Sequence, residues 1–316
     1  MAVRVQDPVS DPGGRPDPGR PGTAAVRRLG KAGLRRFGII TAASRSLPDF
    51  LIVGTKRGGT TSLHRYLLAH PRVLPLFPSA ERLPMRANLK GVHYFDSGFH
   101  QGTAWYRSHF PSTACRQLMA RRCGGPVLAG EATPYYLYHP DAPLRAGLVA
   151  PKARVIVLLR NPVDRAFSHW KEQRRRGYEP LASFEDALDA EAGRLDGEEE
   201  RLRRDPSYRS FSHEHQSYAQ QGRYLGSLDR WMRTYPAGQV HVVRSEDLFT
   251  DPQRTYDDVL SFLDLPPFRM PDPSPFNVTL DACLPDRVRR RLEASFGPDN
   301  RALEDRLGRS FGWGSR

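Results

Sequence analysis

Glycines, hydroxyl groups and positive charges occur together in one short segment of the chain. The segment reads Gly54-Thr-Lys-Arg-Gly-Gly-Thr-Thr-Ser-Leu63 and follows an apolar run. Adjacent glycines let backbone N–H groups turn toward a ligand, and the first turn of a following helix adds partial positive charge. The segment therefore predicts a phosphate-binding loop. Its candidate ligand-binding residues are Lys56, Arg57, Gly58, Gly59, Thr60, Thr61 and Ser62.

This loop is close to the GxxxxGK[ST] pattern of nucleotide-binding loops but lacks the lysine of that pattern. Thr60 stands where the lysine would follow Gly59. Because that lysine reaches the terminal phosphates of a nucleoside triphosphate, its absence favours a different anionic nucleotide. A P-loop kinase acting on a small metabolite is an alternative interpretation, and a tight turn with exposed basic residues is the non-functional one.

A second candidate site follows the strongest strand pattern of the chain, at residues 154–159. Arg160 closes that strand, and Ser168 lies two turns into the helix predicted after it. In an open α/β sheet, ligands bind at the carboxyl ends of the strands, where both Arg160 and the glycine loop would lie. A guanidinium and a hydroxyl at this edge are suited to a second phosphate group. Asp164 and Arg165 are expected to pair on the helix surface.

Alternating strand and helix patterns position these two segments. Apolar runs predict strands at residues 49–54, 126–130, 154–159 and 239–243. Helical spacing predicts helices at residues 60–70, 163–176, 218–235 and 252–263. The alternation favours an α/β fold, a single domain with a mostly parallel central sheet flanked by helices. Residues 185–209 are expected to form a solvated helix and a mobile loop, and residues 265–275 are expected to be irregular because proline recurs.

The composition of the 316 residues limits the classes of protein that remain. The chain is 39% hydrophobic with a net charge of +13, of which +6 falls in residues 1–48. Residues 1–47 are therefore expected to be a disordered basic tail, and residues 48–316 the folded domain. No apolar run approaches the ~18 residues of a membrane span, and no secretory signal is recognisable at the start, so a cytoplasmic location is expected.

The remaining charge of +7 is compatible with an anionic small ligand or glycan and does not require nucleic acid. A basic nucleic-acid-binding protein is the alternative from a different class. The three cysteines have no zinc-binding spacing, and we expect no metal. His213 and His215 lie two residues apart in a polar segment and are expected to be exposed to solvent rather than to bind a metal.

The two phosphate-binding segments together resemble the paired signatures of sulfotransferases that use 3′-phosphoadenosine 5′-phosphosulfate (PAPS). The first resembles the 5′-phosphosulfate loop and the second the 3′-phosphate element, and the similarity is nearest to the heparan sulfate and carbohydrate sulfotransferases and their bacterial relatives. It covers roughly residues 49–265. The intervening similar motifs are Lys90–Asp96, Trp105–Phe110, Glu131–Tyr135, Gly222–Trp231 and Ser245–Leu248.

The resemblance implies PAPS as sulfuryl donor, adenosine 3′,5′-bisphosphate as product, and no metal. The acceptor it implies is a hydroxyl group of a carbohydrate, a glycolipid or a hydroxylated metabolite. The chain departs from the heparan enzymes at Gly91, where they carry a glutamate base, and at Ala132, where they carry a lysine. It also lacks their cysteine-bridged loop near the carboxyl terminus. A heparan substrate is therefore not implied.

Three residues are the catalytic candidates. Arg57, where the family commonly has lysine, is expected to stabilise charge on the departing phosphate. With Gly91 at the usual base position, His93 is the first candidate for the general base, because an ordinary histidine pKa of about 6.5 suits that task. Glu131 is the second candidate, and Asp96 is expected to support the base. Alternatively, His93 is a structural histidine and Glu131 a salt-bridged support.

Overall fold

The computed structural model describes residues 33–77, 90–270 and 283–313. In this part of the chain five parallel strands form one sheet in the order β2-β3-β1-β4-β5. The strands are β1 Phe50–Gly54, β2 Val73–Leu74, β3 Leu128–Ala132, β4 Arg154–Leu159 and β5 Val240–Arg244. The predicted α/β fold with a parallel central sheet is confirmed.

Helices connect the strands and cover both faces of the sheet. They are α1 Thr60–Ala69, α2 Gly102–Arg107, α3 Thr113–Arg122, α4 Ala142–Val149, α5 Pro162–Arg176, α6 Phe184–Asp189, α7 Glu191–Leu195, α8 Glu198–Arg204, α9 Phe211–His215, α10 Tyr224–Thr234, α11 Ser245–Thr250, α12 Pro252–Phe262 and α13 Asp286–Leu307. Residues 33–40 are also helical, and Tyr94–Gly98 forms a π-helical turn. Single 3₁₀ turns occur at Ala42–Ser44, Phe99–Gln101, Gln220–Gly222 and Ala237–Gln239.

The central strands are buried on both faces, as expected for a parallel sheet covered by helices. Leu51 and Val53 of β1 pack into one apolar cluster, to which α4 and α10 contribute. Phe50 and Ile52 point to the other face and pack with side chains of α1 and α12. This arrangement holds the carboxyl ends of β1 and β4 side by side, since the two strands are paired neighbours, with one shift in register between Ile52 and Gly54.

Several predicted boundaries differ from the observed ones. The strand predicted at residues 126–130 runs from Leu128 to Ala132, and the helix predicted at 218–235 begins only at Tyr224, after a 3₁₀ turn. The single solvated helix predicted within residues 185–209 is instead three short helices, which bury Ala187 and Leu202, and residues 205–209 follow them as a loop. The sequence patterns also did not reveal the two-residue strand β2 or the helix α13.

The predicted tail overlaps residues that pack on the domain. Arg35 donates a hydrogen bond to Ser108 Oγ at 2.9 Å, and Arg45 donates one to the Phe110 carbonyl at 2.6 Å. The rest of the predicted tail, residues 1–32, lies outside the described residues, as does part of the proline-rich segment. Across the described ranges, none of the helices has the length and apolar character needed to cross a membrane.

Candidate active site

The predicted phosphate loop connects the end of β1 to the start of α1. Gly59 occupies the N-cap of α1 with a φ of +89°, a left-handed conformation that glycine adopts without strain. Gly58 is closely surrounded, since a Cβ there would lie 2.9 Å from Thr55 Cγ2 and 3.1 Å from the Leu158 carbonyl oxygen. Arg57 also has a positive φ, +68°, which is uncommon for a residue with a side chain and typical of ligand-binding loops.

Arg57 connects the loop with the second predicted element. Its Nε donates a hydrogen bond to Ser168 Oγ on α5 at 2.9 Å, and its carbonyl oxygen accepts one from the Arg160 guanidinium at 3.0 Å. An ion pair of 3.8 Å joins its guanidinium to Glu172. Residues more than 100 positions apart are thus gathered around one arginine at the carboxyl ends of β1 and β4.

Hydrogen bonds to neighbouring elements fix the Arg160 segment. The Asn161 side chain caps α5 by accepting from the Val163 and Asp164 amides at 3.0 and 3.3 Å. The Tyr224 hydroxyl donates to the Arg160 carbonyl at 2.7 Å. The glycine loop is held in a similar way, because Ser245 Oγ of α11 donates to the Gly58 carbonyl at 2.8 Å.

The side chain of Lys56 reaches α9. Its Nζ donates to the Glu214 carbonyl oxygen at 2.7 Å and to Glu214 Oε1 at 3.1 Å, and it lies 4.8 Å from the centre of the Tyr135 ring. Burial alone would raise the pKa of Glu214, but the nearby Lys56 charge holds that pKa below its usual value. Glu214 is therefore an ionised partner of the loop, and no sequence pattern had singled it out.

A further lysine reaches the loop from a distant segment. Lys90 Nζ donates to Thr61 Oγ1 at 2.6 Å and to Thr60 Oγ1 at 3.1 Å. Burial, followed by the charges of Arg57, Arg65 and Arg176, lowers the pKa of Lys90 to about 7. In the sequence, Lys90 is marked only as the first residue of the Lys90–Asp96 motif, which does not predict its contact with the loop.

His93 and Asp96 form a hydrogen-bonded pair in this motif. His93 Nδ1 lies 2.7 Å from Asp96 Oδ2, and the His93 side chain is 48% exposed while that of Asp96 is 1% exposed. Desolvation opposes the imidazolium, but the charge and hydrogen bond of Asp96 outweigh it and raise the pKa of His93 to about 9. The ordinary value assumed from sequence is thus corrected upward, because a buried carboxylate faces the ring.

Glu131 lies inside the protein with both of its oxygens occupied. Oε1 accepts from the Tyr106 and Tyr136 hydroxyls at 2.7 and 3.2 Å, and Oε2 accepts from the Val92 amide and Thr133 Oγ1 at 2.6 and 2.7 Å. The side chain is fully buried, and this burial raises its pKa. Its partners are neutral groups and not the salt-bridging Lys or Arg considered from the sequence.

Gly91 has no space for a side chain. A Cβ at this position would lie 2.5 Å from Thr133 Oγ1 and 2.8 Å from the Ala132 carbonyl oxygen. Backbone and a buried hydroxyl therefore occupy the volume that a side chain would need. The close packing of Ala132 and Thr133 against the Lys90–Asp96 motif therefore leaves no room for a carboxylate side chain at this position.

Other expectations from the sequence are corrected by the structure. Arg165 is fully buried and donates to the Tyr218 carbonyl, while Asp164 pairs with Arg289 at 3.0 Å, so the two do not pair with each other. His213 is buried against Tyr135, with its Nδ1 2.8 Å from the phenol oxygen, and is not exposed to solvent. Within the described ranges, no three His, Cys, Asp or Glu side chains form a group suited to a metal.

Comparison with known proteins identifies the family. The sulfotransferase domain family matches residues 47–272. Heparan sulfate glucosamine 3-O-sulfotransferase 6 of Homo sapiens is 28% identical over 93% of this chain and 79% of its own length. Bifunctional heparan sulfate N-deacetylase/N-sulfotransferase 2 of Bos taurus is 30% identical over 70% of this chain, which spans only 22% of that protein.

A solved structure shares the fold. The crystal structure of a sulfotransferase from Alicyclobacillus acidocaldarius superposes with a TM-score of 0.57 at 29% identity, covering 85% of this chain and 99% of that one. The chain therefore belongs to the sulfotransferase domain family.

Proposed function

We propose that this sulfotransferase moves a sulfuryl group from PAPS to a hydroxyl of a carbohydrate, a glycolipid or another hydroxylated metabolite. The observation that carries the proposal is the position of Arg57, bonded at once to Ser168 and to Arg160. It joins two cationic, hydroxyl-bearing elements at neighbouring strand ends. A nucleotide with separate 5′ and 3′ phosphate groups requires two such elements at one sheet edge.

The residues around the loop suit a donor of this kind. Arg57, Lys90 and Arg160 bring positive charge to the edge of the sheet, and Gly58 and Gly59 bring the backbone close to whatever binds there. When bound, PAPS supplies a sulfuryl group attached to a phosphate leaving group. A fixed guanidinium and backbone amides are suited to stabilise charge that develops on that phosphate, and removal of one such donor typically costs ~10²–10³ in rate.

Within this proposal the roles at the donor site follow from position. Arg57, Lys56 and the amides from Gly58 to Thr61 bind the 5′ side of the donor, with hydroxyls of Thr60, Thr61 and Ser62 adding hydrogen bonds. Arg160 and Ser168 bind the 3′-phosphate. Adenosine 3′,5′-bisphosphate is the product that remains after transfer. We assign no metal to these steps.

We assign the general base to His93. In the neutral ring, Nδ1–H donates to Asp96 and Nε2 carries the free electron pair. Nε2 accepts the proton of the acceptor hydroxyl while the hydroxyl oxygen bonds to sulfur and the bond from sulfur to the donor phosphate breaks. Asp96 then stabilises the imidazolium that forms. Because the pKa of His93 is about 9, most molecules hold the imidazolium at neutral pH, and the rate is expected to rise as that proton is lost.

Glu131 has a different role in this proposal. A carboxylate that is enclosed in the core and accepts four hydrogen bonds has no free electron pair directed at a substrate. It ties the backbone of the Lys90–Asp96 motif to β3 and to two tyrosines. We therefore infer that Glu131 supports the motif, and His93 performs the proton transfer.

The acceptor class is suggested by relatives and by chemistry. Two of the relatives are named for heparan sulfate, a carbohydrate, and this supports a glycan or other hydroxylated acceptor for this enzyme. The packed Gly91 distinguishes this chain from the glutamate-bearing enzymes that it resembles. Nucleic acid is not proposed as a partner, and the cytoplasmic location remains a prediction from the sequence.

Calorimetric titration with adenosine 3′,5′-bisphosphate tests the donor assignment. Arg160→Ala and Ser168→Ala each remove a hydrogen bond to a charged group, so affinity should fall by about 10- to 100-fold for the arginine and less for the serine. Arg233→Ala, at an exposed position of α10, is the matched control and should bind as wild type does. Unchanged affinity in both site variants would overturn the 3′-phosphate assignment.

A further inference from the structure

An ammonium group lies where the loop sequence lacks one. In GxxxxGK[ST] loops a lysine follows the second glycine, but here Thr60 takes that place. Lys90 comes from a segment 30 residues further along the chain, and its Nζ is 3.1 Å from Thr60 Oγ1 and 2.6 Å from Thr61 Oγ1. The charge missing from the loop is thus supplied at the first turn of α1 by another segment.

Several positively charged side chains act on the ammonium group of Lys90. The charged groups that act on its ammonium are Arg57 of the loop, Arg65 of α1 and Arg176 of α5, and His64 of α1 lies near enough to feel its charge. Its hydrogen-bond acceptors within the described residues are the two neutral threonine hydroxyls. A half-buried ammonium among cations, with only neutral acceptors, is a site that an anionic ligand would stabilise.

We propose that Lys90 binds the 5′ phosphate end of the donor and replaces, in space, the lysine that nucleotide-binding loops carry after their second glycine. This inference rests on the proposed function, because it takes PAPS as the donor. It adds a donor-binding residue from the Lys90–Asp96 motif, whose other end carries His93 and Asp96. One segment then contacts the donor at its first residue, Lys90, and removes the acceptor proton at its fourth, His93.

The proposal couples donor binding to a proton. Burial and the neighbouring cations lower the pKa of Lys90 to about 7, so above neutral pH the free enzyme holds mostly the uncharged amine. A phosphate beside the amine favours the ammonium and raises its pKa, so binding takes up a proton. Between pH 7 and 8 affinity should therefore fall roughly fivefold, approaching tenfold per unit at higher pH.

A purely structural role makes a different prediction. If Lys90 only pinned the first turn of α1 through Thr60 and Thr61, its replacement would lower thermal stability without changing how affinity depends on pH. Arginine separates the two roles, because it keeps a positive charge and the ability to donate but does not release its proton in this pH range. The affinity of Lys90→Arg for the bisphosphate, divided by that of wild type, should therefore be larger at pH 8.5 than at pH 6.5.

The experiment is calorimetric titration of adenosine 3′,5′-bisphosphate from pH 6 to 9, in pairs of buffers with different ionisation enthalpies. For wild type we expect uptake of close to one proton at pH 8 and little at pH 6. Lys90→Met should weaken binding about tenfold or more at pH 6.5 and abolish this uptake. Lys152→Met, which removes an exposed lysine from the turn before β4, is the matched control and should behave as wild type.

The outcomes separate this inference from the proposed function. If wild type does not bind the bisphosphate at any pH, the PAPS proposal itself fails. If wild type binds but Lys90→Met and Lys90→Arg keep both its affinity and its proton uptake, only the role of Lys90 is wrong. Should Lys90→Met fail to fold, the pH dependence of Lys90→Arg decides alone. His93, with a pKa of about 9, is present in every variant and cancels in the comparison.

Discussion

Asp96→Asn is expected to move the pH dependence of sulfuryl transfer by at least two pH units. In the wild type, Asp96 raises the pKa of His93 from 6.5 to about 9. At pH 7 only about 1% of His93 is then neutral and able to accept a proton. Asparagine keeps the size of the side chain but removes its charge, so the pKa of His93 should return to about 6.5 or lower, and roughly three quarters or more of the ring becomes neutral at pH 7.

The assay is a single-turnover measurement of sulfuryl transfer from pH 6 to 9.5. Saturating donor removes any contribution of Lys90 to binding, and the acceptor is one found by screening with a radiolabelled sulfuryl donor. The wild-type rate should rise about tenfold per pH unit until it levels near pH 9, because the general base must lose its proton. In Asp96→Asn the rate should be level above about pH 7.

Controls distinguish the charge of Asp96 from general damage. His93→Ala should remove the pH-dependent limb altogether, together with most of the activity. Asp264→Asn makes the same chemical change at a side chain that is 77% exposed, and should keep the wild-type profile. The reasoning is refuted if Asp96→Asn, shown to be folded by circular dichroism, retains a limb near pH 9, or if His93→Ala retains the wild-type limb.

Three further predictions concern neighbouring residues. Gly91→Glu should not restore a base, because its Cβ would lie 2.5 Å from Thr133 Oγ1. We expect the free energy of unfolding, measured by thermal unfolding, to fall by about 1–3 kcal/mol. An active variant of unchanged stability would contradict this. Glu131→Gln should lower the free energy of unfolding by roughly 1–3 kcal/mol for each hydrogen-bond donor left facing the amide N–H₂. In any folded Glu131→Gln variant the transfer rate should still rise with pH and level near pH 9. Loss of this pH dependence would make Glu131 the candidate base again. Arg57→Ala should lower the transfer rate ~10²-fold or more with the fold intact, and Arg57→Lys should recover part of the rate; near-normal turnover in Arg57→Ala would disprove its assignment to the leaving phosphate.

The part of the site that follows the parallel sheet could be predicted from sequence. Strand and helix patterns placed the glycine loop after β1 and Arg160 after β4. The carboxyl ends of neighbouring parallel strands lie together, so the approach of Arg57 to Arg160 and Ser168 follows from topology. Errors in strand boundaries of two residues did not matter here, because the sheet edge still carries the same loops.

Features that depend on contacts between distant loops could not be predicted. Lys90 contacts Thr60 and Thr61 only because the Lys90–Asp96 motif lies across the start of α1. The hydrophobic periodicity of the sequence predicts strands and helices but not a contact of this kind. The pKa of His93 depends on a left-handed turn, with a φ of +55°, that brings Asp96 against its ring. The packing of Gly91 depends on a hydroxyl supplied by Thr133, just after the end of β3.

Burial of polar side chains was also misjudged from sequence. Asp164 and Arg165 are adjacent in a helix and therefore point in different directions, so one reaches α13 and the other reaches the interior. His213 lies in a polar segment, yet the segment folds over Tyr135 and buries it. Local polarity indicates solvent exposure only where no other element covers the segment, and tertiary packing decides that.

The most direct test of the central claim compares two nucleotides in a thermal unfolding experiment with the wild-type protein. Adenosine 3′,5′-bisphosphate without Mg²⁺ should bind saturably and stabilise the fold, by about 2.7 kcal/mol at a concentration 100 times its Kd. ATP with Mg²⁺ should give no comparable stabilisation, because ATP has no 3′-phosphate for the Arg160 and Ser168 element to bind. Stabilisation by ATP with Mg²⁺ and none by the bisphosphate would contradict the account.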